Sequence, residues 1–482
     1  MLDIRPIIHL IGLLGLVLGV LMLIPAVVDW QAGNENWHAF ARASFVVCMI
    51  GGIAALTTRN VLDAGLGRRQ SFLLTSGLWA VMPAFGAIPF VLGAPQADLT
   101  HAYFEAMSGM TTTGTTVFVG LDGLPPGVLI WRSMLQWLGG LGIVIVALVF
   151  LPILRVGGMQ HFQAEAFDTM GKVMPRVYDI SAGLLQVYIG LTIAAAAAYM
   201  AFGMSGFDAI NHSMTTIATG GFSTSDQSFA KFTGPLEYVS VLFMVLAGLP
   251  FIRFIQLLGG SWLAVWKDVQ VRAFLRWIAY SVGVVIAYRL MTSDVTLLDA
   301  LRGTLFNVVT LFTGTGYGSE DVSGWGDFPV LVVILVGFIG ACTASTGCSL
   351  KIFRYLVLFE AIRAQMQRLR RPNEIVSLRL GGKRLEPDVI SSVIVMFTVF
   401  VASFVLLAVA LSLTGLELRT AITAAWTAIC NVGPVFGLEV GETGAVDGFP
   451  EAAKWLMILG MYLGRLEVLA VLVLLLPRFW RG

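Results

Sequence analysis

Ten apolar runs, near residues 7–28, 41–57, 71–92, 128–154, 181–203, 237–265, 274–292, 328–360, 389–414 and 452–476, limit what this 482-residue chain can become. A helix needs about 20 apolar residues to cross a hydrocarbon core of about 30 Å, so each run has the length of a membrane span. Only 12% of the residues are charged, against roughly 25% in a soluble domain, and the mean hydropathy is +0.84. A soluble enzyme is thereby excluded. The first run exceeds the roughly 7–15 apolar residues of a signal peptide, so it reads as a span as well.

Lys and Arg (30) nearly balance Asp and Glu (29), so no global field argues for nucleic acid as a partner, and only the placement of charge is informative. Basic residues gather in every second connection: Arg59, Arg68 and Arg69; Arg155, Lys172 and Arg176; Lys267, Arg272 and Arg276; the stretch from Lys351 to Arg384; and Arg478 with Arg481. The intervening loops collect acids, among them Asp98, Asp122, Asp226, Glu320 and Glu439. Because Lys and Arg beside spans stay in the cytoplasm, this asymmetry predicts both termini inside. The five histidines (His9, His38, His101, His161, His212) are scattered, and the chain has no HExxH, Walker A or GxSxG pattern, so nothing argues for catalysis. Cys48, Cys342, Cys348 and Cys430 lie in apolar or small-residue segments without CxxC spacing and read as structural thiols.

Four segments are too polar to span and too apolar to be ordinary loops: 98–120, 206–226, 297–322 and 417–440. They contain MSGMTTTGTTVF (Met107 to Phe118), HSMTTIATGGFST (His212 to Thr224), VVTLFTGTGYGSED (Val308 to Asp321) and TAICNVGPVFG (Thr427 to Gly437). Setting Gly114, Gly220, Gly316 and Gly433 in register gives spacings of 106, 96 and 117 residues, enough in each case for a helix, a half-helix with its return, and another helix. Ahead of each glycine, about ten residues form a short helix beginning near Asp98, Asp208, Thr296 and Glu417. Non-helical backbone survives at membrane depth only when it is buried in protein or lines a watery cavity, so four copies suggest four walls of one pore. Short helices whose C-termini face that pore favour a cation, and glycine lets successive carbonyls turn toward the axis to replace an ion's hydration shell. The third loop, Thr313 to Gly318, comes near the TVGYG pattern of potassium filters. One such loop alone is equally compatible with small-residue helix packing; four in register favour the pore.

With these loops, Gln136-Trp-Leu-Gly-Gly-Leu-Gly142, Gly157-Gly-Met-Gln160, Phe338 to Arg354 (FIGACTASTGCSLKIFR), Gly464-Arg-Leu-Glu467 and Pro477-Arg-Phe-Trp480, nearly the whole chain resembles the Trk/Ktr/HKT superfamily of potassium transporters, and within it the bacterial TrkH-type membrane subunit. The resemblance implies an all-α polytopic membrane protein with a potassium-channel-like architecture of four helix, re-entrant loop, helix repeats and two extra N-terminal helices. It implies potassium coordination by the backbone of Thr112, Thr113 and Gly114; Ala218, Thr219 and Gly220; Gly314, Thr315 and Gly316; and Asn431, Val432 and Gly433. Relatives that admit sodium often carry serine in place of the first glycine, so Gly114 implies potassium preference. Gly314, Cys430-Asn431 and Val435-Phe436 depart from the usual pattern. Potassium is then the substrate, with rubidium and weakly sodium as further cargo, and no cofactor is bound covalently. The resemblance also implies a homodimer in the bacterial cytoplasmic membrane and a TrkA-like cytoplasmic partner of the RCK/KTN class that binds nucleotides. The basic 351–384 connection is either its dock or a plain positive-inside loop.

The expected divisions are 1–65 for the two extra helices and 66–176, 177–270, 271–384 and 385–482 for the four repeats. Residues 328–360 would make a helix of roughly 50 Å, too long for the core unless it breaks in the small-residue stretch Gly340 to Ser349. In the resembling family that stretch is a movable intramembrane gate, which directs attention to Gly340, Gly347, Ser349 and the flanking Lys351. Arg465 lies within the last span, where a charge is expensive and usually functional; it acts either as an electrostatic barrier in the pore, as the resemblance implies, or as half of an ion pair with Glu467, although residues two apart on a helix face different ways. The alternative functions are a sodium-permeable or sodium- or proton-coupled symporter of the same architecture and, more remotely, a membrane-embedded enzyme.

Overall fold

A computed structural model describes residues 3–61, 66–145, 177–374 and 377–481. The predicted Gly157 to Gln160 motif and the basic residues Arg155, Lys172 and Arg176 lie outside the described residues. Among the described residues the regular structure is helical except for a two-stranded hairpin, Arg379–Leu380 against Lys383–Arg384, within the basic connection.

At the N-terminus, Arg5–Gln31 and Trp37–Thr57 form an antiparallel pair. Small residues bring the two helices together: a side chain on Gly12 would meet the Gly51 carbonyl at 2.8 Å, and Ser44 Oγ donates to the Gly19 carbonyl at 2.7 Å. One buried carboxylate helps to fasten the pair to the rest of the molecule. Asp29 accepts from the Gly127 amide (2.6 Å) and from Asn36 Nδ2 (2.9 Å), while Asn36 Oδ1 accepts from the Ala94 amide (2.8 Å).

Four three-helix units follow. The first is α1 (Arg68–Leu92), α2 (Leu99–Met110) and α3 (Pro126–Ile145); the second is α4 (Val177–Ala201), α5 (Gly206–Ile217) and α6 (Pro235–Gly248). The third is α7 (Val269–Thr292), α8 (Leu297–Thr313) and α9 (Asp327–Ile339); the fourth is α10 (Pro387–Ser412), α11 (Leu418–Cys430) and α12 (Glu451–Arg465). The middle helix of each unit is short because a left-handed turn ends it, and in the first three a side chain caps its start, whereas Glu417 precedes α11 without a side-chain cap. Asp98 and Thr296 cap α2 and α8 as expected, but α5 starts at Ser205, whose Oγ accepts from the Asp208 amide at 3.1 Å; Asp208 lies inside the helix.

Two of the expected straight spans are broken. The run at 237–265 is α6 followed by Phe251–Leu258 at 92°, and the run at 452–476 is α12 followed by Leu469–Leu475 at 110°. Pro250 explains the first bend, since it lacks an amide hydrogen and drives Leu249 into extended backbone (φ −81°, ψ 156°). The second passes through Glu467 (φ 56°) and Val468 (φ 36°), a conformation that a β-branched residue adopts only when its surroundings demand it. The expected break in 328–360 is present: α9 stops at Gly340 (φ 72°), an irregular buried loop runs through Lys351, and helix resumes over Ile352–Arg370.

Candidate ion-conduction site

The four short helices end in one repeated turn. An amide five residues on bonds back to a helix carbonyl in every copy: Thr113 to Ser108 (2.9 Å), Gly220 to Thr215 (2.8 Å), Thr315 to Thr310 (2.8 Å) and Val432 to Thr427 (3.2 Å). The residue before that amide takes a left-handed conformation, Thr112 (53°), Thr219 (51°), Gly314 (79°) and Asn431 (52°). So does the residue after it, Gly114 (90°), Gly221 (77°), Gly316 (85°) and Gly433 (110°).

This geometry corrects the second loop. Gly221 is the counterpart of the other three central glycines, and Gly220 stands level with Thr113, Thr315 and Val432. The aligned triplets are therefore Thr112 to Gly114, Thr219 to Gly221, Gly314 to Gly316 and Asn431 to Gly433. Ala218 drops out, because it caps α5 with ordinary right-handed backbone (φ −72°). Two adjacent glycines at Gly220 and Gly221 left the register open by one residue; the turn hydrogen bond closes it.

The loops meet in a ring. A side chain on Gly114 would strike the carbonyl oxygen of Gly220, one on Gly221 that of Thr315, and one on Gly316 that of Val432; one on Gly433 would stand 2.8 Å from that of Thr113. Each central glycine thus abuts the carbonyl preceding the central glycine of the next loop, and the fourth loop closes on the first. All four contacts are nearer than the 3.0 Å that a real Cβ keeps, so glycine is required here by space as well as by torsion. The C-terminal ends of the four short helices abut the ring and add partial negative charge to it. On one side the four glycines line a cavity of about 170 Å³ together with Phe222 and Asp226. Nearby, Asp122 is hydrogen-bonded by Ser225 Oγ, the Asp226 amide and Lys231 Nζ; burial raises its pKa, but these donors together hold it below the ordinary carboxylate value, so it is anionic at neutral pH.

On the other side of the ring lies the Gly340 to Lys351 loop. Thr112 Oγ1 is 3.6 Å from Cys348 Sγ, Ser349 Oγ donates to the Cys430 carbonyl at 3.1 Å, and a side chain on Gly347 would sit 2.9 Å from the Thr313 carbonyl. Gly340 turns at a positive φ that glycine adopts freely, but Ala344, Ser349 and Lys351 also have positive φ, so the loop is held against its intrinsic preferences by its contacts. Lys351 is buried. Arg465 ends α12 beside this loop; its guanidinium reaches Cys348 Sγ and the Gly139 carbonyl (3.2 Å) and lies 5.4 Å from the Trp79 ring centroid. Glu467 is not its partner: that carboxylate pairs with Arg354 at 2.6 Å, and among the described residues no carboxylate lies within ion-pair distance of Arg465. Cys348, expected to be a plain structural thiol, is thus a contact of both the ring's inner edge and the one buried guanidinium among the described residues that lacks an acid.

Sequence reasoning passed over the pair that braces the ring from behind. Glu105 on α2 and Arg132 on α3 are fully buried and 2.7 Å apart. Glu105 also accepts from the Val117 amide (3.0 Å) and Thr116 Oγ1, and Arg132 donates to the Ser223 carbonyl (2.9 Å) while lying over the Phe222 ring. Two ionisable residues in apolar segments were the available signal.

The family model for TrkH, described as a cation transport protein, matches residues 37–481. The chain belongs to the TrkH family. It is 38% identical over 478 residues to the Trk system potassium uptake protein TrkI of Halomonas elongata, covering 99% of this chain and 97% of that one. It is 35% identical over 485 residues to the Trk system potassium uptake protein TrkH of Escherichia coli K12, with 99% of both chains covered. The crystal structure of the potassium transporter TrkH from Vibrio parahaemolyticus superposes with a TM-score of 0.91 at 32% identity over 100% of both chains. A TrkH-family fold thus accounts for the full chain, including the N-terminal pair.

The buried pair makes a direct prediction. Arg132→Leu should cost about 3–5 kcal/mol by leaving Glu105 uncompensated, whereas the double variant Arg132→Leu/Glu105→Leu should recover part of the loss. Thermal midpoints and monodisperse yield in detergent report this; an unchanged midpoint for Arg132→Leu would show that the pair does not brace the fold.

Proposed function

We propose that this membrane protein takes up potassium across the bacterial cytoplasmic membrane, through a selectivity filter made by the carbonyl ring of the four loops. The observation that carries the reading is the cyclic contact of Gly114, Gly221, Gly316 and Gly433 with the carbonyls of Gly220, Thr315, Val432 and Thr113. Such a ring can replace an ion's hydration shell, and its neutral oxygens together with the abutting helix C-termini favour a cation. The names of the TrkI and TrkH relatives, which the chain matches over almost their whole length, support potassium as the cargo. Glycine at all four central positions supports preference for potassium over sodium.

Gating falls to the Gly340 to Lys351 loop and Arg465. The loop lies against the inner edge of the ring and has several left-handed residues whose conformation depends on its contacts, which makes an alternative arrangement energetically accessible. The Arg465 guanidinium beside it, with no acid in ion-pair distance among the described residues, would repel an ion leaving the ring. A nucleotide-binding TrkA-like cytoplasmic partner would bias this loop from the basic 351–384 connection, and the protein would work as a homodimer with both termini cytoplasmic.

Serine at Gly114, Gly221 or Gly316 should lower the rubidium-to-sodium flux ratio in proteoliposomes by roughly tenfold, the effect of about 1.4 kcal/mol of misplaced ligand. Unchanged ratios in all three variants would remove the filter reading.

Arg465→Ala and a loop shortened within 340–349 should both raise flux per folded molecule, and the shortened protein should respond less to the partner. Wild-type flux with an undiminished partner response in both would place the gate elsewhere.

A further inference from the structure

The Gln136 to Gly142 motif lies in the seam between the first and second loops. Gly139 faces Met110, so closely that a side chain would overlap the Met110 carbonyl, and a side chain on Gly140 would stand 2.9 Å from Ala218 Cα. These two glycines let α3 touch the ends of α2 and α5 at once. One turn earlier, fully buried, is Gln136. Its Oε1 accepts from the Phe222 amide at 3.0 Å and its Nε2 donates to the Gly220 carbonyl at 2.6 Å. The Phe222 N–H fixes the orientation of the carboxamide, because only an acceptor can face it, and this leaves the NH2 group for the ring carbonyl.

The other three loops are held differently. A hydroxyl from the loop's own short helix accepts from the turn: Ser108 Oγ from Gly114 (3.1 Å), Thr310 Oγ1 from Tyr317 (2.8 Å) and Thr427 Oγ1 from Gly433 (2.7 Å). The equivalent residue in the second loop, Thr215, is turned away; its hydroxyl bonds to the Asn211 and His212 carbonyls and to Tyr317 Oη. The second loop therefore keeps the turn bond from the Gly220 amide to Thr215 but lacks the hydroxyl fastening, and Gln136 supplies one from another repeat, gripping it on both sides of its central glycine.

We propose that Gln136 is a positioning residue for ion selectivity: its carboxamide sets the place of the Gly220 carbonyl in the ring and thereby the discrimination between potassium and sodium. The proposal rests on the filter reading above. Position and field strength of the coordinating carbonyls decide which ion is preferred, and a loop without its own hydroxyl fastening is the one whose carbonyl can wander.

The test compares Gln136→Leu, Gln136→Glu and Gly114→Ser with wild type in proteoliposomes, reading the rubidium-to-sodium flux ratio per folded molecule between about pH 5 and 8. Gln136→Leu should lower the ratio about threefold to tenfold, in keeping with the loss of two buried hydrogen bonds. In Gln136→Glu the ionised carboxylate repels the Gly220 oxygen, whereas the protonated carboxyl donates to it and still accepts from Phe222. Its ratio should therefore be low at the alkaline end and recover as the pH falls. The titratable and charged groups around the seam are Arg132 with Glu105, His212 beyond Ser223, Tyr188 and Tyr317, and Arg465 below Gly139; all are present in wild type, whose profile isolates the contribution of the introduced acid. A purely structural role would lower the thermal midpoint of the variants without a pH-dependent ratio. If Gly114→Ser lowers the ratio while both Gln136 variants keep it at every pH, the positioning role is overturned and the filter stands. If Gly114→Ser also leaves it unchanged, the filter reading fails and this inference with it. Should Gln136→Leu not fold, Gln136→Met, which also lacks the amide donor, takes its place: a lowered ratio supports the role, and a wild-type ratio overturns it.

Discussion

The backbone amides and carbonyls left unpaired where four helices stop short are the constraint on which the rest of this structure depends. In hydrocarbon each such group costs several kcal/mol, so the stops must be enclosed by protein or face water. The fold meets this by bringing all four together. The turn amides bond back onto their own helices, the central glycines seat against neighbouring carbonyls, and the outer helices of each unit wall off lipid. What remains is a ring of oxygens on a short axis, with water-accessible space above it and an irregular buried loop beneath. Glycine at four positions follows from the closeness of this assembly.

Charge inside the molecule is used in two ways. Glu105 with Arg132, and Arg354 with Glu467, are buried pairs whose members come from different helices or segments and whose remaining polar atoms are largely taken up by backbone groups. Such pairs contribute little net stability relative to apolar packing, but they fix registry, since breaking one strands a charge. The first locks the return strands of two loops; the second pins the bend after α12 to the helix that follows the irregular loop. Arg465 differs. Its guanidinium is answered by a thiol, a carbonyl and an indole face, all weaker than a carboxylate, which leaves positive charge beside the inner edge of the ring.

Much of this was legible in the sequence because it depends on local pattern. Apolar run lengths, the four glycine-centred segments and the small-residue break at Gly340 are all readable without knowing what touches what. The misses have physical causes. Gly220 and Gly221 are chemically identical candidates, and only the folded turn separates them, through the Gly220 bond to Thr215 and the left-handed φ of Gly221 against the Thr315 carbonyl. Pro250 did carry a local signal for the bend in 237–265, outweighed there by uninterrupted hydropathy. The bend after Arg465 had no such signal, because it follows from Glu467 reaching Arg354, 113 residues away. Gln136 was visible within a motif, but its role depends on Thr215 pointing elsewhere, which is a matter of packing.

The central claim is that a cation is held by the carbonyl ring of the four loops, and anomalous diffraction from crystals grown in rubidium or thallium salts tests it most directly. The account predicts an anomalous peak on the axis enclosed by the Thr113, Gly220, Thr315 and Val432 carbonyls, lost or displaced in Gly221→Ser. Well-diffracting crystals with bound rubidium or thallium elsewhere in the protein, and none within that ring, would contradict it.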